Sequence, residues 1–296
     1  MKFSIVIPTY NRVDKLGVVL ESLRDQDYPQ EDYEILLSDS GSTDGTPELV
    51  QKLSLPNLRF VVGENTGRSG ARNRGIKEAT GEIILFTDAD IIADPGLLSH
   101  HHKAHRDNPR CAVVGCEVQV DSLDEYDKVR GKRELFRTLH PSSRKKLPWL
   151  YFLTGNASVS REKLIEAGLF DEDFQGYGHE DLELGYRLEK AGVIILHEAG
   201  AVNYHWHPVG FEENCRRRRL AGISTVRFFN KHRDPRIKLL LGWNPFNFAM
   251  HTILKNNPKT LEWMAGKARE PGFFRELVYQ YYWTDGIKEG MRSTGE

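Results

Sequence analysis

The chain has 296 residues, 39% hydrophobic and 28% charged, with 41 Lys and Arg against 42 Asp and Glu for a formal net charge of -1. That length supports a sizeable core without disulfide or structural-metal staples, and the composition excludes long disorder, collagen-like repeats and coiled coil. Near-neutral charge argues against nucleic-acid binding along the whole surface, and the three cysteines (Cys111, Cys116, Cys215) form no C-x-x-C pair and no disulfide framework.

The opening apolar run, Phe3 to Ile7, is too short for a signal-peptide core, and no window approaches the ~18–20 apolar residues of a membrane span. The expectation is a cytoplasmic protein, with peripheral attachment to the inner face of a membrane left open.

Phe3-Ser4-Ile5-Val6-Ile7 reads as a buried strand ended by Pro8, and Val13 to Arg24 carries Leu16, Val19, Leu20 and Leu23 at helical spacing. Glu34 to Leu37 is a second strand, and the Asp44-Gly45-Thr46-Pro47 turn opens a second helix. Leu58 to Val62 is a third strand, Ser69 to Ala79 a third helix and Glu82 to Phe86 a fourth strand. Such alternation predicts a mostly parallel sheet flanked by helices, with ligands beyond the carboxyl ends of its strands. After Asp90 the pattern predicts a helix over 95–106, a strand over 111–120, and a helix with a mobile loop over 121–147. Tyr151 to Val159 reads as a strand, 161–167 and 180–191 as helices, and 193–196 and 201–205 as two strands. Helix is predicted from Phe211 to about His232, and the tail from Pro235 is broken by Pro245, Pro258 and Pro271. The expected organisation is a domain over 1–225, with a nucleotide-sugar half (1–110) and an acceptor half (111–225), followed by a helical extension over 226–296.

The strongest motif is Phe86-Thr87-Asp88-Ala89-Asp90, where two carboxylates leave the end of a hydrophobic strand. On an extended chain they project to one side, suited to a divalent cation and its phosphates. Asp39, ending the second strand, is placed to accept hydrogen bonds from a base N–H or a ribose hydroxyl. Asn65 to Gly75 sets Arg68, Arg72 and Arg74 around a helix N-terminus, which suits an anionic, phosphate-bearing ligand or forms a basic helix face. Gly176-Tyr177-Gly178-His179-Glu180-Asp181 puts two acids at the start of a helix, one of them a candidate general base. His205 and His207 alternate on a strand end, and either can supply a nitrogen to a metal beside Asp88 and Asp90. His100-His101-His102 with His105 lacks a zinc-motif glutamate and reads as a solvated helix face.

Together these segments resemble the family 2 glycosyltransferases with the GT-A fold. The matching residues are Ile5-Val6-Ile7-Pro8-Thr9-Tyr10-Asn11-Arg12, Asp39 through Thr46, Asn65 through Gly75, Asp88-Ala89-Asp90, Gly155-Asn156-Ala157-Ser158 and Gly178-His179-Glu180-Asp181. They run in the family's order over roughly residues 3–220. The Gly-Tyr-Gly-x-Glu-Asp segment with Tyr204-His205 and Pro208-x-Gly210-x-Glu212-Glu213-Asn214 looks most like chondroitin-polymerase-type modules that transfer N-acetylhexosamine or glucuronate.

The resemblance implies an α/β GT-A fold and a metal-dependent, inverting transfer of sugar from a nucleoside-diphosphate sugar, UDP-linked, to a hydroxyl of a glycan or lipid-linked acceptor. By it Pro8, Tyr10, Arg12, Asp39, Arg72 and Asp88 contact the nucleotide sugar, and Asp88, Asp90 and His205 hold Mn²⁺ or Mg²⁺. Asp181 is the base, with Glu180 beside it in the catalytic pair, and Gly155, Asn156 and Glu180 meet the acceptor. Many relatives carry two adjacent aspartates where this chain has Asp39-Ser40, which alters the contacts expected to base and ribose. Two other classes compete. A sugar-nucleotide nucleotidyltransferase needs a glycine-rich loop that Pro8-Thr9-Tyr10-Asn11-Arg12 lacks, and a non-catalytic sugar-nucleotide or glycan-binding module has no need of a base. The basic stretch Lys128, Arg130, Lys132, Arg133, Arg137, Arg144, Lys145 and Lys146 reads as a solvated face or a contact for an anionic acceptor or lipid phosphate, and one or two of Arg216 to Arg219 as reaching the diphosphate. The aromatic tail is expected to pack back on the domain, with a membrane interface as the alternative.

Overall fold

The computed structural model describes residues 1–132, 145–174, 176–268 and 271–295. Its chain divides into two compact units. The first comprises Met1–Gln175 with Glu180–Pro208, the second Gly176–His179 with Val209–Glu296.

The first unit is built on one sheet, which has nine strands among the described residues. The parallel part joins β1 (Phe3–Thr9), β2 (Tyr33–Asp39), β3 (Leu58–Val62) and β4 (Ile83–Phe86) in the order β3-β2-β1-β4. Beyond β4 the sheet becomes mixed. β8 (Ala157–Ser160) runs antiparallel to β4 and to β6 (Cys111–Val120), while β9 (Ile194–Trp206) is parallel to β6. Two short strands, β5 (Ile91–Ala93) and β7 (Lys146–Leu147), pair antiparallel with β9. Helices α1 (Val13–Arg24), α2 (Thr46–Leu53) and α3 (Gly67–Glu78) connect the parallel strands. They are followed by α4 (Leu97–Asp107), α5 (Leu123–Val129), α6 (Arg161–Glu166) and α7 (Glu180–Lys190).

The parallel strands are apolar on both faces because helices cover both. Leu16, Val19, Leu20 and Leu23 of α1 are fully buried against Phe3, Ile5, Ile7, Ile35 and Leu37. At about 25 cal/mol per Å² of apolar surface, each such leucine contributes roughly 1.5–3 kcal/mol toward folding. The residues expected to carry chemistry sit just past the carboxyl ends of these strands.

Three local expectations are revised. The apolar run from Tyr151 forms no strand: Trp149–Tyr151 is a 3₁₀ turn, Leu153 N–H donates to Tyr151 O at 2.9 Å, and extended pairing starts only at Ala157. The two strands expected over 193–205 are one strand, whose pairing with β6 slips between Val114 and Cys116. The histidines of α4 are not a solvated face, since His101 and His105 are fully buried. His101 Nδ1 and His105 Nε2 each lie 2.7 Å from Ser158 Oγ, and His101 Nε2 lies 2.9 Å from Asn156 Oδ1. Of the basic stretch, Lys128, Arg130, Lys132, Lys145 and Lys146 are exposed, whereas Arg133, Arg137 and Arg144, and most of the expected loop, lie outside the described residues.

The second unit contains α8 (Phe211–His232), α9 (Pro235–Leu240), α10 (Pro245–Lys255), α11 (Pro258–Lys267) and α12 (Phe273–Thr294). Prolines open α9, α10 and α11 at the first helical turn, where the missing N–H costs nothing. Gly286 on α12 lets the α8 backbone approach closely, for a Cβ there would overlap Arg219 O. Arg216 and Arg217 pair with Glu213, and Arg219 with Asp285 and Glu289, so these three arginines are drawn into ion pairs within their own unit. The aromatic tail divides: Tyr279 is buried, but Phe246, Trp263 and Phe273 are exposed. Among the described residues no helix is long and apolar enough to cross a membrane.

Candidate active site

The site is assembled at the carboxyl end of β4. Residues 87–90 turn rather than continue the strand, and Ile91 N–H donates to Asp88 O at 3.1 Å. The two aspartates therefore do not share one face as an extended chain would require. The turn sends them to different partners.

Asp90 meets the end of β9. His207 Nδ1 lies 2.9 Å from Asp90 Oδ2 and His205 Nε2 lies 3.6 Å from Asp90 Oδ1, with the imidazoles stacked at 5.5 Å. His205 is the penultimate residue of β9 and His207 follows its end, and antiparallel pairing of Ile91 with His205, continued by Trp206 N–H donating to Asp90 O at 2.9 Å, brings Asp90 alongside both. Among the described residues Asp90, His205 and His207 form a group whose ligand atoms all lie within 4.8 Å of one another. One carboxylate and two imidazoles make a mixed O/N donor set that fits a divalent transition ion such as Mn²⁺ better than an all-oxygen-seeking Mg²⁺. Burial alone would raise the Asp90 carboxyl, but the two imidazoles beside it hold it far below the usual range. Burial would lower His205, yet the Asp90 and Glu117 carboxylates on either side of the ring push it up to about 10.

Asp88 turns to the buried Arg72 of α3, whose Nη2 donates to Asp88 Oδ1 at 2.9 Å while Nη1 lies 3.4 Å from Glu180 Oε1. Arg68, one helical turn earlier, adds a contact of 3.2 Å to the same Glu180 oxygen. Arg72 is thus a crossbar between the end of β4 and the start of α7. Removing it alone would leave buried carboxylate charge short of a partner, a change that costs about 3–5 kcal/mol. Asp181 follows at the second position of α7, half-buried, its Oδ1 accepting from Leu182 N–H at 2.8 Å. Burial and the adjacent Glu180 carboxylate push Asp181 upward, opposed by Arg72 and Arg68. Upward is the direction a carboxylate must move to accept a proton near neutral pH.

The remaining expected residues spread along the same edge. Asp39, at 1% exposure, uses its carboxylate to organise its own loop, accepting from Gly41 N–H, Ser42 N–H and Ser42 Oγ at 2.9, 2.8 and 2.5 Å. Pro8 is half-buried near the end of β1, and Tyr10 and Arg12 are exposed beyond it. Asn156 departs from expectation, because its side chain is consumed internally. Besides His101, it donates to Cys116 O at 3.3 Å and Ala201 O at 2.9 Å, leaving nothing to face an acceptor. Gly155, next to it, lies against Glu117. Three further residues enter the site that the motif reading had left out or undecided: His207 as a partner of Asp90, Arg68 on Glu180, and Glu117 on His205. Only the alternation of His205 and His207 could have signalled the first. Nothing local marks Glu117.

Fold and site together define a glycosyltransferase of the GT-A class. Residues 4–168 match the family model "Glycosyl transferase family 2", and the chain belongs to that family. It is 30% identical to validoxylamine A glucosyltransferase of Streptomyces hygroscopicus subsp. jinggangensis, over 93% of this chain and 71% of that protein. It is 29% identical to Escherichia coli chondroitin synthase over 72% of this chain but only 36% of the synthase, in line with the chondroitin-polymerase likeness of the Gly-Tyr-Gly-x-Glu-Asp segment. Among solved structures, the fold matches the mannosyltransferase PcManGT from Pyrobaculum calidifontis in complex with GDP-Man and Mn²⁺. The TM-score is 0.69 at 23% identity, covering 99% of this chain and 87% of that one. It also matches S. aureus TarS 1-349 in complex with UDP-GlcNAc, with a TM-score of 0.59 at 20% identity over 100% and 93% of the two chains.

Proposed function

We propose that the protein transfers a sugar from a nucleoside-diphosphate sugar, UDP-linked, to a hydroxyl of a glycan or lipid-linked acceptor, with inversion at the anomeric carbon and in dependence on Mn²⁺ or Mg²⁺. The observation that carries this reading is the convergence of Asp90, His205 and His207 with the Asp88–Arg72–Glu180 chain and Asp181 on one sheet edge. A nucleotide-binding module has no use for a half-buried carboxylate held upward beside a second one, and a nucleotidyltransferase lies outside the family.

In this reading Asp90, His205 and His207 hold the cation, and Asp88 and Arg72 lie beside the diphosphate. When bound, the cation supplies positive charge that offsets the charge of a departing nucleoside diphosphate. Pro8, Tyr10, Arg12 and Asp39 line the base and ribose at the ends of β1 and β2. Asp39 can serve there only by exchanging part of its loop bonding for the nucleotide, since both its oxygens already accept. Asp181 removes the acceptor proton, and Glu180, fixed by Arg68 and Arg72, orients the acceptor without moving. Proton transfer to a carboxylate from an alcohol comes late, as the hydroxyl oxygen bonds to carbon.

Transfer assays with UDP- and GDP-sugars test the reading. Asp181→Asn is expected to cut transfer by about 10²–10⁴-fold with nucleotide affinity unchanged. Because Asp181 is shifted upward, transfer should fall in acid at a higher pH than an ordinary aspartate would set, and product analysis should find the inverted anomer. Unchanged transfer by the variant would remove Asp181 from the chemistry.

We also propose a cytoplasmic location with attachment to an anionic lipid surface through the second unit. Leu239, Phe246, Trp263 and Phe273 are 56–75% exposed. Residues 235–268, which hold the first three of these, carry Arg236, Lys238, Lys255, Lys259 and Lys267 against the single acid Glu262. Aromatic and aliphatic side chains amid excess positive charge fit the headgroup region of such a membrane. The buried free thiols Cys111, Cys116 and Cys215 suit a reducing compartment.

A further inference from the structure

Glu117 has no counterpart in the motifs, yet the β6–β9 register and the close approach of Gly155 both bear on its position. It stands on β6 two residues past a slip in the β6–β9 pairing, and that slip sets the register Glu117 to Asn203 and Gln119 to His205. The slip is held open at Gly115, where a Cβ would overlap Ala201 O, and is tied by Asn156, which donates to Cys116 O and Ala201 O across it. Asn156 is oriented by His101 Nε2 at 2.9 Å. At the next position Gly155 leaves the space Glu117 occupies, for a Cβ there would overlap Glu117 Oε2.

The carboxylate so placed sits 3.2 Å from His205 Nδ1, on the side of the ring opposite the nitrogen that faces Asp90. Gln119 Nε2 lies 2.8 Å from Glu117 Oε1 and 3.0 Å from the same His205 Nδ1. The two neighbours ask for opposite ring states. A hydrogen bond donated by Gln119 to Nδ1 needs the lone pair there and leaves the neutral ring's proton on Nε2, pointing at Asp90. A proton on Nδ1 donated to Glu117 leaves the Nε2 lone pair facing Asp90, the only neutral form that can bind a cation there.

We propose that Glu117 is a positioning residue that selects the cation-binding form of His205, and that Gly155 exists to make room for its carboxylate. The inference rests on the reading of Asp90, His205 and His207 as a cation site. It reassigns Gly155 and Asn156 from the acceptor to the support of that site.

Mn²⁺ binding followed by electron paramagnetic resonance tests this on the full chain, with the native protein, Glu117→Ala, Gly155→Ala and the double variant. Glu117→Ala should weaken Mn²⁺ by about 10–100-fold, and pulsed spectra should lose one of two imidazole nitrogens coupled to the ion. Gly155→Ala should weaken Mn²⁺ alone, by displacing the carboxylate, but add little in the Glu117→Ala background, where its Cβ meets only the end of the Ile91 side chain, at 3.1 Å. Native-like affinity and coupling in Glu117→Ala would overturn the proposal, as would an equal loss from Gly155→Ala in both backgrounds. No Mn²⁺ binding by the native protein would instead overturn the cation site itself, and the proposal with it.

Discussion

Two histidine pairs in the first unit have opposite fates. His101 and His105 are one helical turn apart on α4, the spacing that most readily suggests a metal site, yet the groups within hydrogen-bond reach of their rings are neutral, Ser158, Asn156 and Cys111, with the Glu198 carboxylate acting on His101 only through its charge. Asn156 donates through Nδ2, so its Oδ1 accepts from His101 Nε2–H. His101 Nδ1 then accepts from Ser158 O–H, and Ser158 Oγ accepts from His105 Nε2–H. Every member is satisfied with no net charge, and burial pushes His101 and His105 down to about 4 and about 3. His205, near the end of β9, and His207, just past it, face Asp90, with Glu117 behind His205, in a group that has both the charge and the nitrogen and oxygen ligand atoms for a cation. Spacing proposes a metal site. The carboxylate across the gap decides it.

The largest effect that would break this contrast is loss of ligand. Asp90→Ala or His205→Ala should weaken Mn²⁺-dependent nucleotide binding by at least about 100-fold, read by calorimetry, with little change in urea midpoint. His101→Ala should do the reverse. It opens a cavity and strands Ser158 and Asn156, so unfolding free energy should fall by about 2–4 kcal/mol, while Mn²⁺ affinity of the folded protein should fall by no more than about 10-fold, through the loosened Asn156 support of Glu117. If His101→Ala abolished Mn²⁺ binding without loss of stability, the two pairs would have exchanged roles.

A smaller effect follows from pH. His101 and His105 have folded pKa values below the ordinary 6.5, so the unfolded chain binds more protons through the window from about 6.5 down to about 4. Stability is fully present above that window and falls as pH drops through it, by on the order of 2 kcal/mol per histidine between about pH 7 and about pH 5. Urea unfolding across that range checks the sign; His101→Phe should flatten part of the slope if the variant still folds. Smallest is the surface effect: Trp263→Ser with Phe273→Ser should reduce binding to phosphatidylserine vesicles several-fold and leave neutral vesicles unaffected. Equal binding by the variant would detach the aromatic cluster from any lipid role.

Much of the parallel half was legible because strands buried on both faces read as continuous apolar runs and α1 shows its inward stripe. Cys111–Val120 and Phe211–His232 were also found to the residue. The mixed half was less so. Tyr151-Phe152-Leu153 is apolar like a strand, yet Phe152 is fully buried from a 3₁₀ turn while Tyr151 and Leu153 stay about half exposed. His197 to Gly200 looked like a break but lies within β9. At the site, the strand-end motifs pointed to Asp88, Asp90, Glu180, Asp181 and His205, of which the structure sets Asp90 beside His205 and links Asp88 to Glu180 through Arg72. What they could not show is that a turn separates Asp88 from Asp90, or that a slip at Gly115 aims Glu117 at His205, since both are settled by pairing between distant segments.

The central claim is that Asp90, His205 and His207 make a cation site for a nucleoside diphosphate. Calorimetric titration of UDP and GDP into the native protein, with Mn²⁺ and then with excess chelator, tests it most directly. The account predicts binding of one nucleotide that is lost on chelation and restored by Mn²⁺; equal affinity with and without the ion would contradict it.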